Sequence, residues 1–354
     1  MVCGPLQSDS DRKLKFGVVG IGHRCWQHIQ RINQSIECET LALCDMRQDR
    51  LNYGLEISYG DPAVYSEFAE MLRHPELNTV LVTSPHRFHA EHVIAALNAG
   101  FDVMVEKPMA MTVAECNAMN TAANLNHRIL MVGEQHRYFA TNRKVKELVD
   151  AGAIGRIVSI SAPSFRGPWS ADKRWMHLFS MSGGGLLSEA CHDLDAFRWF
   201  IGARPVKVAG FGGIAVFPDQ DTLDNAQLIY EFENGVNLSF GFGTFVPGHY
   251  RPIGILGTHG RLEYKRYGHQ ITHFSYEKGA RRAGEPVVYD LTDEMQEGGH
   301  PGTDSMYEEF VACVKTRREP LTAGQVMVDS VRMCTLGQDA VRQSRVINFL
   351  EEMG

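Results

Sequence analysis

Lys15-Phe-Gly-Val-Val-Gly-Ile-Gly22 is the stretch on which the reading of this chain turns. A short apolar run reads as a buried strand, Gly20-Ile21-Gly22 follows it at once, and residues 25–34 read as a helix. Strand, Gly-x-Gly turn and helix, in that order, open the fingerprint that cradles a pyrophosphate. Glycine lets the backbone come close, and the helix N-terminus offers N–H groups and the positive end of its dipole. Cys25 stands where that fingerprint usually carries its third small residue. Taken alone, Gly-x-Gly also fits a plain tight turn. The context favours the dinucleotide reading, because Asp45 ends the next strand, 23 residues after Gly22, and is placed to accept hydrogen bonds from ribose hydroxyls. Its charge repels a 2′-phosphate, so NAD is preferred to NADP. Arg47, two residues on, works against that preference.

The rest of the first half keeps the same rhythm. Strands are expected at 41–44, 79–83, 102–105 and 129–132, with helices at 90–99 and 113–125 between them. Continuous apolar strands alternating with helices argue for an α/β, doubly wound parallel sheet of Rossmann type. After about residue 135 the pattern becomes strand, turn, strand over 206–216, 226–233, 236–245 and 252–256, with Asn234-Gly235 as a hairpin signal. Helices are expected at 143–150, after the glycines of 183–201, and at 303–315 and 323–342. The organisation read from this is a tail at 1–14, a dinucleotide-binding domain at 15–135, and a C-terminal α+β domain at 136–350 with a large open, mostly antiparallel sheet.

Composition bounds the function. The chain has 354 residues, 44% hydrophobic and 22% charged, with a formal net charge of −7. That is a soluble globular balance, and its sign disfavours nucleic acid and anionic membranes as partners. No run approaches the roughly 18 apolar residues of a membrane span, and the polar start has no signal-peptide core. Eight scattered cysteines (3, 25, 38, 44, 116, 191, 313 and 334), none in a C-x-x-C pair, read as reduced thiols of a cytoplasmic protein.

Two clusters carry chemistry. Glu106-Lys107-Pro108 follows the fourth strand, at the end of a parallel sheet that opens onto the ligand crevice. Gly183-Gly-Gly-Leu-Leu-Ser-Glu-Ala-Cys-His-Asp-Leu-Asp195 spaces Glu189, His192 and Asp195 three apart, which shares a helix face. A histidine beside an acid exchanges protons near neutral pH. Glu189-x-x-His192 also has a metal-like spacing, but no third ligand is fixed, so no metal is expected.

Together with Thr83-Ser84-Pro85 and His89, these motifs resemble the Gfo/Idh/MocA oxidoreductases, relatives of glucose–fructose oxidoreductase and inositol 2-dehydrogenase. The resemblance runs from about residue 15 to 349. It implies an NAD(P)-dependent dehydrogenase of a sugar, polyol or glycoside, with Lys107 as catalytic lysine and His192 as active-site histidine. It implies cofactor contacts at Gly20, Ile21, Gly22, His23, Arg24, Asp45, Arg47, Thr83, Ser84, Pro85, His86, His89, Glu106 and Lys107. Inositol-type enzymes often carry Asp four residues before the histidine. Here Ser188 stands there with Glu189 next to it, which weakens a specific inositol assignment. Residues 298–304 are similar to a Gly-His-Gly-Gly-x-Asp stretch of sugar-acting branches, so His300 is expected to face substrate and Asp304 to cap a helix.

In the chemistry expected, Lys107 steadies a developing alkoxide and His192 acts as base or relay, with Glu189 or Asp193 orienting its imidazole. Substrate contacts are expected from Arg137, Tyr138, Trp169 and Trp175, the two tryptophans standing in a polar loop that does not read as core; His136, His177 and His249 are lesser candidates. Two alternatives remain: a glycoside-cleaving enzyme that oxidises the sugar only transiently, and a non-catalytic nucleotide-binding regulator. Lys107 and His192 argue against the latter. Alternation in Leu238-Ser-Phe240-Gly-Phe242 predicts an apolar outer sheet face covered by a second copy, in a homodimer or homotetramer.

Overall fold

The computed structural model describes residues 13–276, 282–294 and 302–350. They form two compact units. One holds the residues up to Gln135 and Gly302–Val328; the other begins at His136 and takes in the chain from Asp329 onward. This corrects the expected 136–350 domain, because 302–328 groups with the first unit. The physical reason is aromatic packing: Tyr307 and Phe310 pack tilted rings against Phe16 of the first strand, at 6.3 and 6.1 Å between centroids.

In the first unit, chain order runs β1 (Leu14–Val19), α1 (Cys25–Gln34), β2 (Cys38–Cys44), α2 (Gln48–Ile57), β3 (Ala63–Tyr65), α3 (Phe68–Met71), β4 (Thr79–Val82), α4 (His89–Asn98), β5 (Asp102–Glu106), α5 (Val113–Leu125) and β6 (Leu130–Gly133). The six strands form one parallel sheet in the order β3-β2-β1-β4-β5-β6. Every residue of β4 and β5 is buried, as a sheet covered on both faces requires. The strand order reverses between β1 and β4, and it is at such a switch point that open α/β sheets bind ligands. Gly20 and Thr83 directly follow those two strands. At Gly20 φ is +87°, and an added Cβ would lie 2.4 Å from the backbone of Ser84, so only glycine fits.

The second unit contributes α6 (Ala140–Asp150), β7 (Ile157–Arg166), α7 (Phe179–Ser182), a π-helical turn at Leu186–Ala190, α8 (Cys191–Ile201), β8 (Pro205–Gly213), β9 (Asn225–Phe232), β10 (Asn237–Gly243), β11 (His249–Tyr250), β12 (Pro252–Gly257), β13 (Gly260–Lys265), β14 (Gln270–Ser275), β15 (Val287–Asp290) and, near the C-terminus, β16 (Ile347–Asn348). α9 (Thr303–Thr316) belongs to the first unit, and α10 (Gly324–Gln343) follows it. The ten-stranded sheet is antiparallel except where β10 pairs β7. Gly184, with φ +101°, packs where a Cβ would strike the Gln338 side chain, which fixes the turn leading into α8.

One expectation about this sheet is overturned. Leu238, Phe240 and Phe242 are fully buried inside the unit rather than on an open face. Phe240 packs on Phe197 of α8 at 6.3 Å, and neighbouring Tyr230 donates to the Met333 carbonyl of α10 at 2.9 Å. The outward side carries Ser239 and Gly241, beside the exposed Ile229 and, further along, Phe211. Alternation identifies an apolar face but does not say which side the helices cover. Among the described residues no helix is long and apolar enough to cross a membrane.

Candidate active site

The dinucleotide end is built where β1, β2 and β4 finish. Asp45 Oδ2 accepts from the backbone N–H of Ile21 at 2.8 Å, and Oδ1 accepts from the N–H of Arg47 at 3.0 Å. Each oxygen keeps a lone pair for a ribose hydroxyl. No side chain caps α1, and no acid sits in its first turn. Around Gly22 an added Cβ would meet nothing within 4 Å. An uncapped helix N-terminus beside open backbone fits a pyrophosphate. Thr83 Oγ1 donates to the Gly20 carbonyl at 2.6 Å and ties the two loops together. Arg47 is exposed and forked onto Asp49 at 3.0 and 2.7 Å, so its charge is already met. Burial pushes the Cys25 thiol up to about 12, so it is an inert packing residue.

Beside this loop stands a buried network centred on Glu106. Its Oε1 accepts from Arg24 Nε and His28 Nε2, both at 2.7 Å, and its Oε2 accepts from the Lys107 backbone N–H at 3.0 Å. The other ring nitrogen of His28 lies 2.8 Å from the Tyr307 hydroxyl, on α9. Burial alone would push the Glu106 carboxyl up. Arg24 and His28 outweigh it and hold the group well below the usual carboxylate range. Burial also lowers the His28 pKa, against the pull of Glu106. The ring is therefore neutral: it donates from Nε2 to Glu106 and accepts from Tyr307 at Nδ1. Lys107 is half-buried, and its bond to Pro108 is cis. His89 braces the same region, with ring nitrogens 2.8 Å from the carbonyls of Ser84 and Pro108. His86 is buried against His89, Ser84 Oγ meets His92 at 3.0 Å, Pro85 leads into a 3-10 turn, and His23 is exposed.

The second unit holds His192 in the first turn of α8. Its imidazole stacks on that of His136, 4.1 Å between centroids and 11° apart in plane. His136 Nε2 lies 3.4 Å from both the Tyr267 hydroxyl and Arg266 Nη2; the guanidinium can only donate, so it faces a lone pair on that nitrogen. The acids flanking His192 meet arginines. Glu189 accepts from Arg166 and Arg251, each at 2.7 Å, while Asp193 accepts from Ser164 Oγ and Arg266, each at 2.8 Å. Burial pushes the Asp193 carboxyl up against the pull of Arg266 and Arg251. The face-sharing expected of Glu189 and His192 assumed a regular helix; Glu189 instead lies in the π-helical turn.

The expected substrate contacts are placed as follows. Arg137 is 3% exposed and forked onto Asp195 at 2.7 and 2.8 Å, where burial raises the acid but Arg137 outweighs it. Tyr138 is buried under Arg143. Trp169 is buried too, edge-on to His177 at 5.3 Å, so the polarity of its loop misled the reading. Trp175 is half-buried. Asp304 is not a cap: Gly302 holds that position, and Asp304 sits inside the first turn, paired with Arg31. His300 and Cys3 lie outside the described residues; the other seven cysteines are buried thiols. His28, Tyr307, Arg251, Arg266 and Tyr267 went unnoticed. They come from distant strands and helices, and no local pattern marks them.

A parallel sheet with a Gly-x-Gly turn, an Asp at the end of its second strand and an anchored lysine fits a nicotinamide-dependent oxidoreductase. Two family models match: the oxidoreductase family with an NAD-binding Rossmann fold over residues 14–134, and the Gfo/Idh/MocA C-terminal domain over 142–263. The chain belongs to the Gfo/Idh/MocA family, and its first unit is an NAD-binding domain. It is 25% identical to a myo-inositol 2-dehydrogenase of Thermotoga maritima over 96% of this chain and 100% of that one. It is 28% identical to a 1-carboxy-3-chloro-3,4-dihydroxycyclohexa-1,5-diene dehydrogenase of Comamonas testosteroni, over 69% of this chain and 61% of that protein. In fold it is similar to an aldose-aldose oxidoreductase of Caulobacter crescentus, with a TM-score of 0.81 and 23% identity over 95% and 100% of the two chains.

The buried histidines set a pH dependence. The His28 pKa is lowered by burial, and that of His92 is lowered to about 4 by burial and then by His89. Unfolding returns both rings to an ordinary pKa near 6.5, so the unfolded state binds more protons as pH falls below that value. Stability is therefore full above about pH 6.5 and declines toward pH 4, by up to about 1.4 kcal/mol per pH unit for each ring. Thermal melts from pH 7.5 to 5.0 are expected to fall, and His92→Gln to flatten the slope. A flat profile in the parent protein would mean these rings are charged when folded.

Proposed function

We propose that this protein is an NAD-dependent dehydrogenase that oxidises a secondary alcohol on a sugar- or polyol-like ring. The observation that carries this reading is the anchoring of Lys107 by Glu106 at the C-terminal end of β5, in the sheet whose loops fit the dinucleotide. The names of the two relatives support the substrate class, since both refer to hydroxyl-bearing rings. Bound NAD supplies the hydride acceptor. The chain has to do the rest. Hydride cannot leave a carbinol carbon unless the hydroxyl proton leaves as well, so a base and a cation are needed at that oxygen. His192 takes the proton, and Lys107 steadies the oxygen as charge builds on it. Asp45 holds the ribose hydroxyls, and the open start of α1 takes the pyrophosphate. Glu189 and Asp193 hold arginines around His192. With its buried thiols, a cytoplasmic setting suits this enzyme.

Replacing Lys107 by Ala is expected to lower kcat by roughly 10²- to 10⁴-fold, while NADH binding, followed by fluorescence, stays within a few-fold. Unchanged turnover would remove the mechanism. Asp45→Ser is expected to shift the ratio of kcat/KM for NAD over NADP by at least about tenfold toward NADP, because the repelling carboxylate is gone. An unshifted ratio would show that Asp45 does not choose the coenzyme. Phe211 and Ile229, 81% and 57% exposed on the sheet's outer side, favour burial by a second copy. Light scattering is expected to give a dimer or tetramer mass that Ile229→Lys lowers; a monomer at every concentration contradicts this.

A further inference from the structure

We propose that the ring alcohol carries an anionic group, a carboxylate or a phosphate, and that Arg166 and Arg251 hold it. This rests on the dehydrogenase reading above and adds the substrate's charge. In the second unit Arg166, Arg251 and Arg266 bring three positive charges together, and Glu189 and Asp193 bring two negative ones. The side chains of Arg251 and Arg266 are 5% and 4% exposed, so this is an interior cluster rather than a wet surface. Arginine cannot shed its proton to relieve the imbalance. Arg266 has the Asp193 carboxylate at 2.8 Å, so the surplus falls on Arg166 and Arg251, which share the one carboxylate of Glu189 at 2.7 Å each. A pair built only for stability balances, as buried Asp102 does with Arg317 in the first unit.

The donors point the same way. Among the described residues, Arg251 Nε and Arg266 Nε are buried with no hydrogen-bond acceptor. A guanidinium presents a fork of N–H groups that suits the oxygens of a carboxylate or phosphate. Arg166 is the member that reaches outward, with its side chain 23% exposed. Its guanidinium lies over the Trp169 ring at 5.8 Å, and its backbone pairs with His249 on β11. The exposed His249 senses the field: its pKa is lowered by burial, and then by Arg251 and Arg166. The cluster adjoins the proton-transfer group, since Arg266 contacts His136, which stacks on His192.

The test uses matched ring alcohols: glucose, glucuronate and glucose 6-phosphate, with the corresponding galactose set and inositol beside inositol phosphate. Affinity for the protein–NADH complex is read by calorimetry, and oxidation with NAD by absorbance. One anionic arm is expected to bind at least tenfold more tightly than its neutral partner, and which arm it is separates carboxylate from phosphate. Arg251→Met should abolish that preference, read as the ratio of anionic to neutral affinity within the same variant, and Arg251→Lys should restore part of it. If Arg251→Met does not fold, Arg166→Met, at the open edge, gives the same readout. Equal binding of neutral and anionic partners, no binding of any anion, or equal losses for both in the variants overturns the proposal. Oxidation of the neutral alcohols alone would overturn it and leave the dehydrogenase standing. Anion-selective binding without oxidation of any member would do the reverse.

Discussion

A buried carboxylate must find compensation, and in this protein Glu106 finds it from three directions. Arg24 supplies the opposite charge and comes from the loop between β1 and α1; His28 supplies a directed donor from α1; the Lys107 backbone supplies the third. Tyr307 on α9 then holds His28 from behind. Breaking such a buried pair leaves an uncompensated charge, at a cost of about 3–5 kcal/mol. The consequence is geometric. One anion ties the phosphate-facing loop, the first helix and the peptide that carries the lysine into a single rigid assembly. None of these parts can drift without unsatisfying the others.

The second unit solves a similar problem with the opposite sign. There the carboxylates of Glu189 and Asp193 are the compensating groups, and arginines outnumber them. The strands that deliver those arginines lie close in the sheet, with only β12 between β13 and β7. β7 ends at Arg166, β11 pairs with that end, Arg251 follows β11, and Arg266 follows β13. Sheet topology thus gathers residues separated by 100 positions at one edge of α8.

How much of this could be read in the sequence follows from how local each signal is. Gly20-Ile21-Gly22 and Asp45 lie within one β-α-β unit, so their placement at the ends of β1 and β2 follows from strand–turn–helix order alone. Glu106-Lys107-Pro108 is contiguous and was legible for the same reason. His28 and Tyr307 are 279 residues apart and Arg137 and Asp195 are 58 apart, so their pairing exists only once the chain has folded. The same limit explains the reversed sheet face. Leu238, Phe240 and Phe242 announce a stripe, but only α8 and α10 decide that it faces inward. Trp169 was misplaced because polarity of neighbours in sequence says little about neighbours in space.

The stacked imidazoles connect the two ideas. Two cationic rings 4.1 Å apart repel, so a proton on His192 is tolerable only while His136 stays neutral. Arg266 secures that, because a guanidinium donating to Nε2 of His136 leaves no room for a proton there. The same guanidinium anchors Asp193. Removing a proton from an alcohol and placing it on His192 then adds positive charge to a ring linked through His136 to the Arg266 guanidinium. That step is unfavourable in a low-dielectric interior unless something offsets it. A ligand anion lying on Arg166 and Arg251 offsets it through space. In that arrangement the group that recognises the substrate also eases the proton transfer, so binding energy from a non-reacting part of the molecule is applied to the reacting one.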